Sequence, residues 1–247
     1  MLEIWFYSLV SVFLVSIVSF IGLITFSLKE KTLRKILLYF VSFSVGGLLG
    51  DAFIHLLPES IELNSQITLA SYILLGVVVS FIVDKFIQWR HCHIPTSKEH
   101  PHPFAVMNII GDSVHNFIDG LIIGASYLSS FQIGLATTVA VIFHEIPQEI
   151  GDFGVLIHGG FKKRKALFLN FFTALTAVAG TIVSLIIGSY VENLTGFLLP
   201  FAIGSFVYIA SSDLIPELHK ETKPFKSFTQ LIMLVIGIAV MFSLLLL

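Results

Sequence analysis

Two short motifs place metal-binding groups within stretches of otherwise apolar sequence. The first, HNFIDG, covers residues 115–120, and the second, HEIPQE, covers residues 144–149. Residues four apart lie on one face of a helix, so each motif presents imidazole, carboxylate and amide groups together. These groups suit borderline divalent ions such as Zn2+, Fe2+ or Mn2+. The candidate metal ligands are His115, Asn116, Asp119, His144, Glu145, Gln148 and Glu149.

The chain around these motifs has the composition of a membrane protein. Of its 247 residues, 12% are charged and 55% are hydrophobic, and the mean hydropathy is +0.93. A helix that spans a bilayer needs about 20 mainly apolar residues. Eight stretches meet this requirement, at 4–28, 36–57, 67–88, 104–128, 133–157, 166–189, 194–215 and 227–247. The sequence therefore predicts an all-α polytopic membrane protein with eight transmembrane helices, a single transmembrane domain over residues 1–247, and no nucleic-acid partner.

The basic residues predict how the chain is oriented. All 14 Lys and Arg residues lie after, or at the end of, the first, third, fifth and seventh predicted spans. Lys and Arg in short loops stay on the cytoplasmic side, so both termini are expected to lie outside the cytoplasm. Positive charge follows the first apolar stretch instead of preceding it, so that stretch is expected to be retained and not cleaved as a signal peptide. We expect an integral, multi-pass protein of a bacterial inner (plasma) membrane.

The two motifs are predicted to meet near the middle of the membrane. The fourth and fifth spans are joined by a short connection, which makes them antiparallel neighbours. Each motif lies roughly 12 to 15 residues into its span, at a rise of about 1.5 Å per residue. A charged group at that depth costs roughly 2.5 to 3.5 kcal/mol, and neither span contains Lys or Arg. A bound cation, and not hydrogen bonding between helices alone, is therefore expected to compensate Asp119, Glu145 and Glu149.

Further polar residues are predicted to mark a pathway on either side of this site. The strings HLLPE (55–59) and DLIPE (213–217) end the second and seventh spans, which finish on opposite sides of the membrane. Two inverted three-helix repeats, spans 1–3 and 6–8, around the central pair of spans 4 and 5 would have this property; chance similarity at helix ends is the alternative. The predicted pathway residues are Asp51, His55, Asp112, Asp152 and Asp213, for which ordinary helix-end polarity is the competing interpretation.

Residues 89–103 form a predicted cytoplasmic loop that is rich in histidine. Clustered His and Cys side chains suggest transient metal capture, and the spacing matches no structural zinc site. A flexible polar linker is the alternative interpretation. The candidate ligands of the loop are His91, Cys92, His93, His100 and His102. Cys92 is the single cysteine, which excludes an intrachain disulfide.

The chain resembles the ZIP family of divalent-metal transporters, in its histidine-bearing subgroup, through motifs in helices 2, 4, 5 and 7: GDAFIHLLPE, HNFIDG, HEIPQE followed by GD, and YIASSDLIPEL. The resemblance implies an eight-helix fold, a homodimer, and Zn2+ as the usual substrate, with Fe2+, Mn2+ or Cd2+ as others. It also implies net movement toward the cytoplasm by alternating access, with an elevator-like motion, and a two-metal site.

Carried onto this chain, the resemblance implies that one ion binds His115, Asp119, His144 and Gln148. The second ion would bind Asn116, Asp119 and Glu145, with Gln148 as a further candidate. The subgroup usually has a second histidine where this sequence has Gln148. Since an amide is a neutral and weaker ligand, the affinity and selectivity of this site are expected to differ from those of the subgroup.

An intramembrane zinc hydrolase acting on lipid is the rival interpretation. The string HEIPQ begins like the zinc-protease motif H-E-x-x-H but has Gln148 at its fifth position. A lipid hydrolase with zinc on His115, Asp119 and His144 and a glutamate as general base is harder to exclude from residues alone. A row of carboxylates on both sides of the site favours a carrier, so we predict a transporter and not an enzyme, with the metal as substrate and no cofactor.

Overall fold

The structure is a computed structural model that describes residues 2–26, 30–88, 103–158, 160–188, 190–191 and 193–246. Side chains are described for the same residues except 23–26, 30–38, 86–88, 103–105, 107, 147 and 158. The described chain consists of helices and short turns, without a strand. The predicted loop ligands His91, Cys92, His93, His100 and His102 lie outside the described residues.

The helices follow the predicted spans closely. Their bounds are α1 Leu2–Val18, α2 Glu30–Gly50, α3 Leu57–Leu63, α4 Gln66–Gln88, α5 Pro103–Ser129, α6 Phe131–His158, α7 Lys163–Ala174, α8 Thr176–Gly188, α9 Leu194–Tyr208, α10 Ile215–His219 and α11 Pro224–Leu244. A 3-10 helix, Ser19–Phe26, continues α1. Two π-helical segments, Asp51–Leu56 and Ile209–Leu214, join α2 to α3 and α9 to α10. The described residues of each predicted span therefore lie mainly on helical backbone.

The protein is an all-α polytopic membrane protein. Six helical stretches of the described residues are long and apolar enough to cross a bilayer: Leu2–Gly22, Tyr39–Leu63, Gln66–Lys85, Lys163–Gly188, Leu194–His219 and Pro224–Leu244. Helices α5 and α6, which carry the two polar motifs, are 27 and 28 residues long and lie outside that set. Eight crossings and a position of both termini outside the cytoplasm stay predictions.

Glycine allows three pairs of helices to approach until their backbones touch. A Cβ atom on Gly120 of α5 would lie 1.9 Å from the Ala177 carbonyl oxygen of α8, and one on Gly180 would lie 2.1 Å from the Phe117 oxygen. Helices α2 and α11 meet in the same way at Gly46 and Gly237. Helices α9 and α4 do so at Gly204 and Gly76. Small residues of this kind are the usual means of close helix packing in membranes.

The backbone around the two proline motifs supports the predicted inverted repeat. Both π-helical segments are six residues long and lead directly into Leu57-Pro58-Glu59 and Ile215-Pro216-Glu217. In each, the N–H at the end of the segment donates to the carbonyl five residues earlier, Leu57 to Ala52 and Ile215 to Ala210. Each proline lies in the first turn of the helix that follows, where its missing N–H is tolerated. Gly46 precedes the first segment by the same interval as Gly204 precedes the second, so the two glycine crossings also correspond.

Replacing Gly120 by alanine should destabilise the protein by about 1 to 3 kcal/mol, the usual cost of overpacking. The added methyl group would meet a backbone carbonyl, so α5 and α8 would have to separate. Gly154→Ala is the matched control, because nothing lies within 4 Å of a Cβ atom at that position of α6. Thermal unfolding in detergent measures the difference; equal midpoints for the two variants would show that the close crossing is not needed.

Candidate metal site

Helices α5 and α6 bring the two motifs together as antiparallel neighbours, with only Ser130 between them. Helix α6 stays continuous through position 147. The hydroxyl of Ser44 on α2 donates to the Phe143 carbonyl at 2.6 Å, one residue before the second motif. The ring of Phe206 on α9 lies 6.1 Å from that of His144, centre to centre. The motifs therefore sit where α5 and α6 face α2 and α9.

Four side chains of the two motifs converge on one point. The Nε2 atoms of His115 and His144 are 3.3 Å apart. The Asp119 Oδ2 atom lies 3.4 Å from the first and 3.1 Å from the second, and the Glu145 Oε1 atom lies 3.5 and 3.4 Å away. Zinc bonds of about 2.0 to 2.1 Å to nitrogen and oxygen place tetrahedral ligands roughly 3.3 Å apart. Five of the six separations among the four atoms are therefore close to those of a tetrahedral zinc site, and the four residues offer ligand atoms that all lie within 4.8 Å of one another.

Hydrogen bonding prepares one imidazole for metal binding. The Nδ1 atom of His144 lies 3.3 Å from the Ala140 carbonyl oxygen. Since a carbonyl can only accept, this nitrogen carries the proton in the neutral ring and leaves the lone pair of Nε2 free. A hydrogen bond from the remote ring nitrogen is the usual way that proteins orient a metal-binding histidine.

The carboxylates of this group are buried with unmet hydrogen-bonding capacity. Asp119 and Glu145 are each 1% exposed. Within the part of the chain that the structure describes, Asp119 Oδ1 and both oxygens of Glu145 have no hydrogen-bond partner, and the ion pairs of these two residues involve only the two histidines. Burying such charges is costly unless a cation compensates them, so the residues present fit a divalent metal ion.

The other predicted ligands lie around this group. Asn116 is buried, and its amide donates to the Asp112 carbonyl and carboxylate at 3.1 and 2.8 Å; its own oxygen has no hydrogen-bond partner among the described residues. Gln148 lies on the cavity wall that His115 and His144 also line, beside Asp112. Glu149 is buried against α7, where Asn170 donates to its carboxylate. Glu145 thus lies within the group of His115, Asp119 and His144, and a ligand role for Gln148 stays a prediction.

A cavity of about 870 Å³ leads away from the site. His115, His144 and Gln148 line its inner end. Its other end is formed by Glu217, Lys220, Glu221 and Lys226, of which the Lys220 and Glu217 side chains are 70% and 54% exposed. Lys226 pairs with Glu221 and lowers the pKa of that carboxyl group. The cavity therefore joins the four-ligand group to the surface that carries the basic residues.

The predicted pathway residues divide into two sets. Asp112, Asp152 and Asp213 line the cavity. Asp51 and His55 are not among the residues described as lining it and are 0% and 4% exposed; the His55 Nε2–H group donates to the Met241 carbonyl at 3.0 Å. Asp51 lies near Thr137, seven residues before His144 and so about 10 Å from it along α6.

Other polar residues of the cavity and its surroundings could not be predicted from the two motifs. Tyr208 donates to the Asp84 carboxylate at 2.9 Å, and Ser80 donates to Ser205 at 2.9 Å, all four on the cavity wall. Asn108 donates to Asp152 at 2.9 Å. Their only sequence signal is a polar residue within an apolar span, which does not say which way the side chain faces.

Comparison with known proteins agrees with this geometry. A family model described as ZIP zinc transporter matches residues 2–105 and 90–245. The chain is 33% identical to zinc transporter ZIP13 of Pongo abelii, over 97% of this chain and 78% of that protein. It is 30% identical to zinc transporter zipt-7.1 of Caenorhabditis briggsae, over 98% and 79%, and 28% identical to zinc transporter SLC39A7 of Rattus norvegicus, over 96% and 71%.

A helical membrane fold, a buried group of four side chains that could hold a cation, and the family match together define the class as an integral membrane transporter of divalent metals. The chain belongs to the ZIP zinc transporter family. It is a transporter and not an enzyme, and the lipid-hydrolase interpretation is not supported. The metal is accordingly a transported substrate. The three relatives named above are eukaryotic and lend no support to the expectation of a bacterial inner membrane.

Removing one imidazole should weaken zinc binding. His144→Ala takes away one of four ligands, and even groups that only orient ligands contribute roughly 10- to 100-fold to metal affinity, so at least about a 10-fold loss is expected. Titration of the purified protein with Zn2+ against a competing chelator measures it. His219→Ala, at the exposed end of α10, is the control; similar affinities for the two variants would contradict the site.

Proposed function

We propose that this protein carries Zn2+ into the cytoplasm by alternating access, with the ion bound by His115, Asp119, His144 and Glu145. The observation that carries the proposal is the convergence of these four side chains at the inner end of a cavity, where each imidazole nitrogen lies 3.1 to 3.5 Å from both carboxylates. Two imidazoles and two carboxylates favour zinc over the hard ions, which take more oxygen ligands. Fe2+, Mn2+ and Cd2+ remain secondary candidates.

A second ion beside the first is part of the proposal. The atoms that would hold it are Asn116 Oδ1, Asp119 Oδ1 and Glu145 Oε2, which are buried and have no hydrogen-bond partner. The two carboxylates would then bridge the ions through their two oxygens, as carboxylates do in two-metal sites. Gln148, on the adjoining cavity wall, is the candidate for the remaining position.

The direction of the cavity supports a state that is open to the cytoplasm. Its outer end carries Lys220 and Lys226, and basic residues in short connections mark the cytoplasmic side. Asp213 lies on the release path, two turns beyond Phe206 along the chain. Asp51 and His55, buried on the opposite side, would become accessible when the protein opens outward and would receive the ion there.

The remaining proposals concern assembly and location. A homodimer and a bacterial plasma membrane are kept as predictions. Of the six apolar stretches, those of α4 and α11 are the most exposed, with only 11% and 17% of an 18-residue segment buried. These two helices are therefore available to lipid or to a second copy of the chain. Cross-linking in membranes tests the homodimer, and localisation of the protein in its own cell tests the membrane.

Uptake into liposomes tests the transport proposal. Wild-type protein should admit Zn2+ to a metal-sensitive dye inside the vesicles, and Asp119→Ala should leave less than about one-tenth of the rate, given the size of metal-site effects. Glu62→Ala, an exposed acidic residue at the end of α3, is the control and should transport normally. Equal uptake by Asp119→Ala and wild type would defeat the site assignment, and so would lipid turnover without uptake.

Gln148→His should tighten zinc binding. The change adds an imidazole at the inner end of the cavity, beside the four-ligand group, and an imidazole is a better zinc ligand than an amide. If the new ligand contributes about 1.4 kcal/mol, the half-saturating zinc concentration in the uptake assay falls about 10-fold. A higher half-saturating concentration would show that position 148 does not face the ion.

A further inference from the structure

Glu149 occupies an unexpected position for a carboxylate next to a metal path. It lies on the same face of α6 as Glu145, one turn nearer the cavity mouth. Its neighbours Gln148 and Asp152 both line the cavity, whereas Glu149 is absent from the described residues of that wall. It is 1% exposed. The side chain is therefore beside the path but turned away from it.

Asn170 on α7 accounts for this position. Its amide nitrogen donates to the Glu149 main-chain oxygen at 3.2 Å and also to the carboxylate Oε2 atom. An amide has two N–H donors, so both are directed at this one residue. Asn170 is itself 1% exposed, and Thr173 donates to its carbonyl at 2.7 Å. The two hydrogen bonds from Asn170 to Glu149, called the clamp below, thus come from a buried part of α7.

The charges around Glu149 make the clamp necessary. Asp112, Glu145 and Asp152 are charged neighbours of this residue, and all three are acidic. Its Oε1 atom has no hydrogen-bond partner among the described residues. A divalent cation passing along the cavity would attract this carboxylate, since charges buried from water are little screened. Among the described residues, the Asn170 amide is the group that holds the side chain on the α7 side.

We propose that Asn170 is a positioning residue that keeps Glu149 off the metal path in the state open to the basic end of the cavity. The ion then leaves a four-ligand site without meeting a further carboxylate that would retain it. The effect of this positioning on transport rests on the proposed function. The withholding of Glu149 from the metal is a binding property and is measurable without transport.

The test compares metal binding by purified full-length variants. Asn170→Ala should release Glu149 and tighten Zn2+ binding about 10-fold, the usual size of effects from groups that orient metal ligands. In liposomes the same variant should show a lower KM together with a lower maximal rate, because release slows. The visible spectrum of bound Co2+ should lose intensity, as expected when a tetrahedral ion gains a fifth ligand. The double variant Asn170→Ala/Glu149→Gln should return the Zn2+ affinity and the Co2+ spectrum to those of wild type.

A matched control separates this role from simple destabilisation. Thr181→Ala also removes a buried hydrogen bond between helices, from Thr181 to the Gly120 carbonyl at 2.9 Å, and should leave the zinc affinity unchanged. Asn170→Asp keeps the side-chain size but repels Glu149, so it should reproduce the tightening if the alanine variant does not fold.

Unchanged or weaker zinc binding in both Asn170 variants would overturn the proposal. So would tight binding that persists in the double variant, because Glu149 would then not be the added ligand. If wild-type liposomes take up no Zn2+, the transport proposal fails. The binding comparison still decides whether Asn170 withholds Glu149.

Discussion

The structure depends on the compensation of buried carboxylates by a cation. Asp119 and Glu145 lie 1% exposed between helices, and the ion pairs described for them involve only two histidines, which are themselves neutral when they bind metal. Unless a metal ion, or protons on the two imidazoles, compensate them, such charges carry a desolvation cost of several kcal/mol each. The same cost makes the site selective for a positively charged ligand. Stability and function are therefore linked at this point.

Much of this site could be predicted from the sequence, for a physical reason. A charged residue in a membrane span is costly, so its presence in the sequence is informative. The helical period then places His115 over Asp119 and Glu145 over Glu149. The spans followed from hydropathy in the same way, and the described helices begin and end within a few residues of them, except that α2 starts at Glu30, α3 extends the second stretch to Leu63 and α10 extends the seventh to His219.

What the sequence could not predict depends on contacts between distant elements. The closeness of Glu145 to His115, Asp119 and His144 depends on how α6 is rotated about its axis relative to α5, which the helical period does not give. The turning of Glu149 toward α7 depends on Asn170, 21 residues away along the chain. The π-helical segments are likewise absent from the pattern of apolar residues, and proline does not mark them, since positions 147 and 200 lie within α-helix. The two motifs could be predicted to meet, but the contacts of each side chain could not.

The close crossings at glycine join three separate pairs of helices. Backbone approaches at glycine join α5 to α8, α2 to α11 and α4 to α9; among the described residues, none joins α5 or α6 to α2, α4, α9 or α11. All four proposed ligands lie on α5 and α6. The contacts of α5 and α6 with α2 and α3 include two hydroxyl bonds, from Ser44 to the Phe143 carbonyl and from Ser129 to Glu59. Hydrogen bonds between membrane helices average only about 0.6 kcal/mol. The two helices that carry the proposed ligands are therefore not locked to α2, α4, α9 or α11 by backbone packing at glycine, and a metal bound entirely by α5 and α6 would move with these two helices.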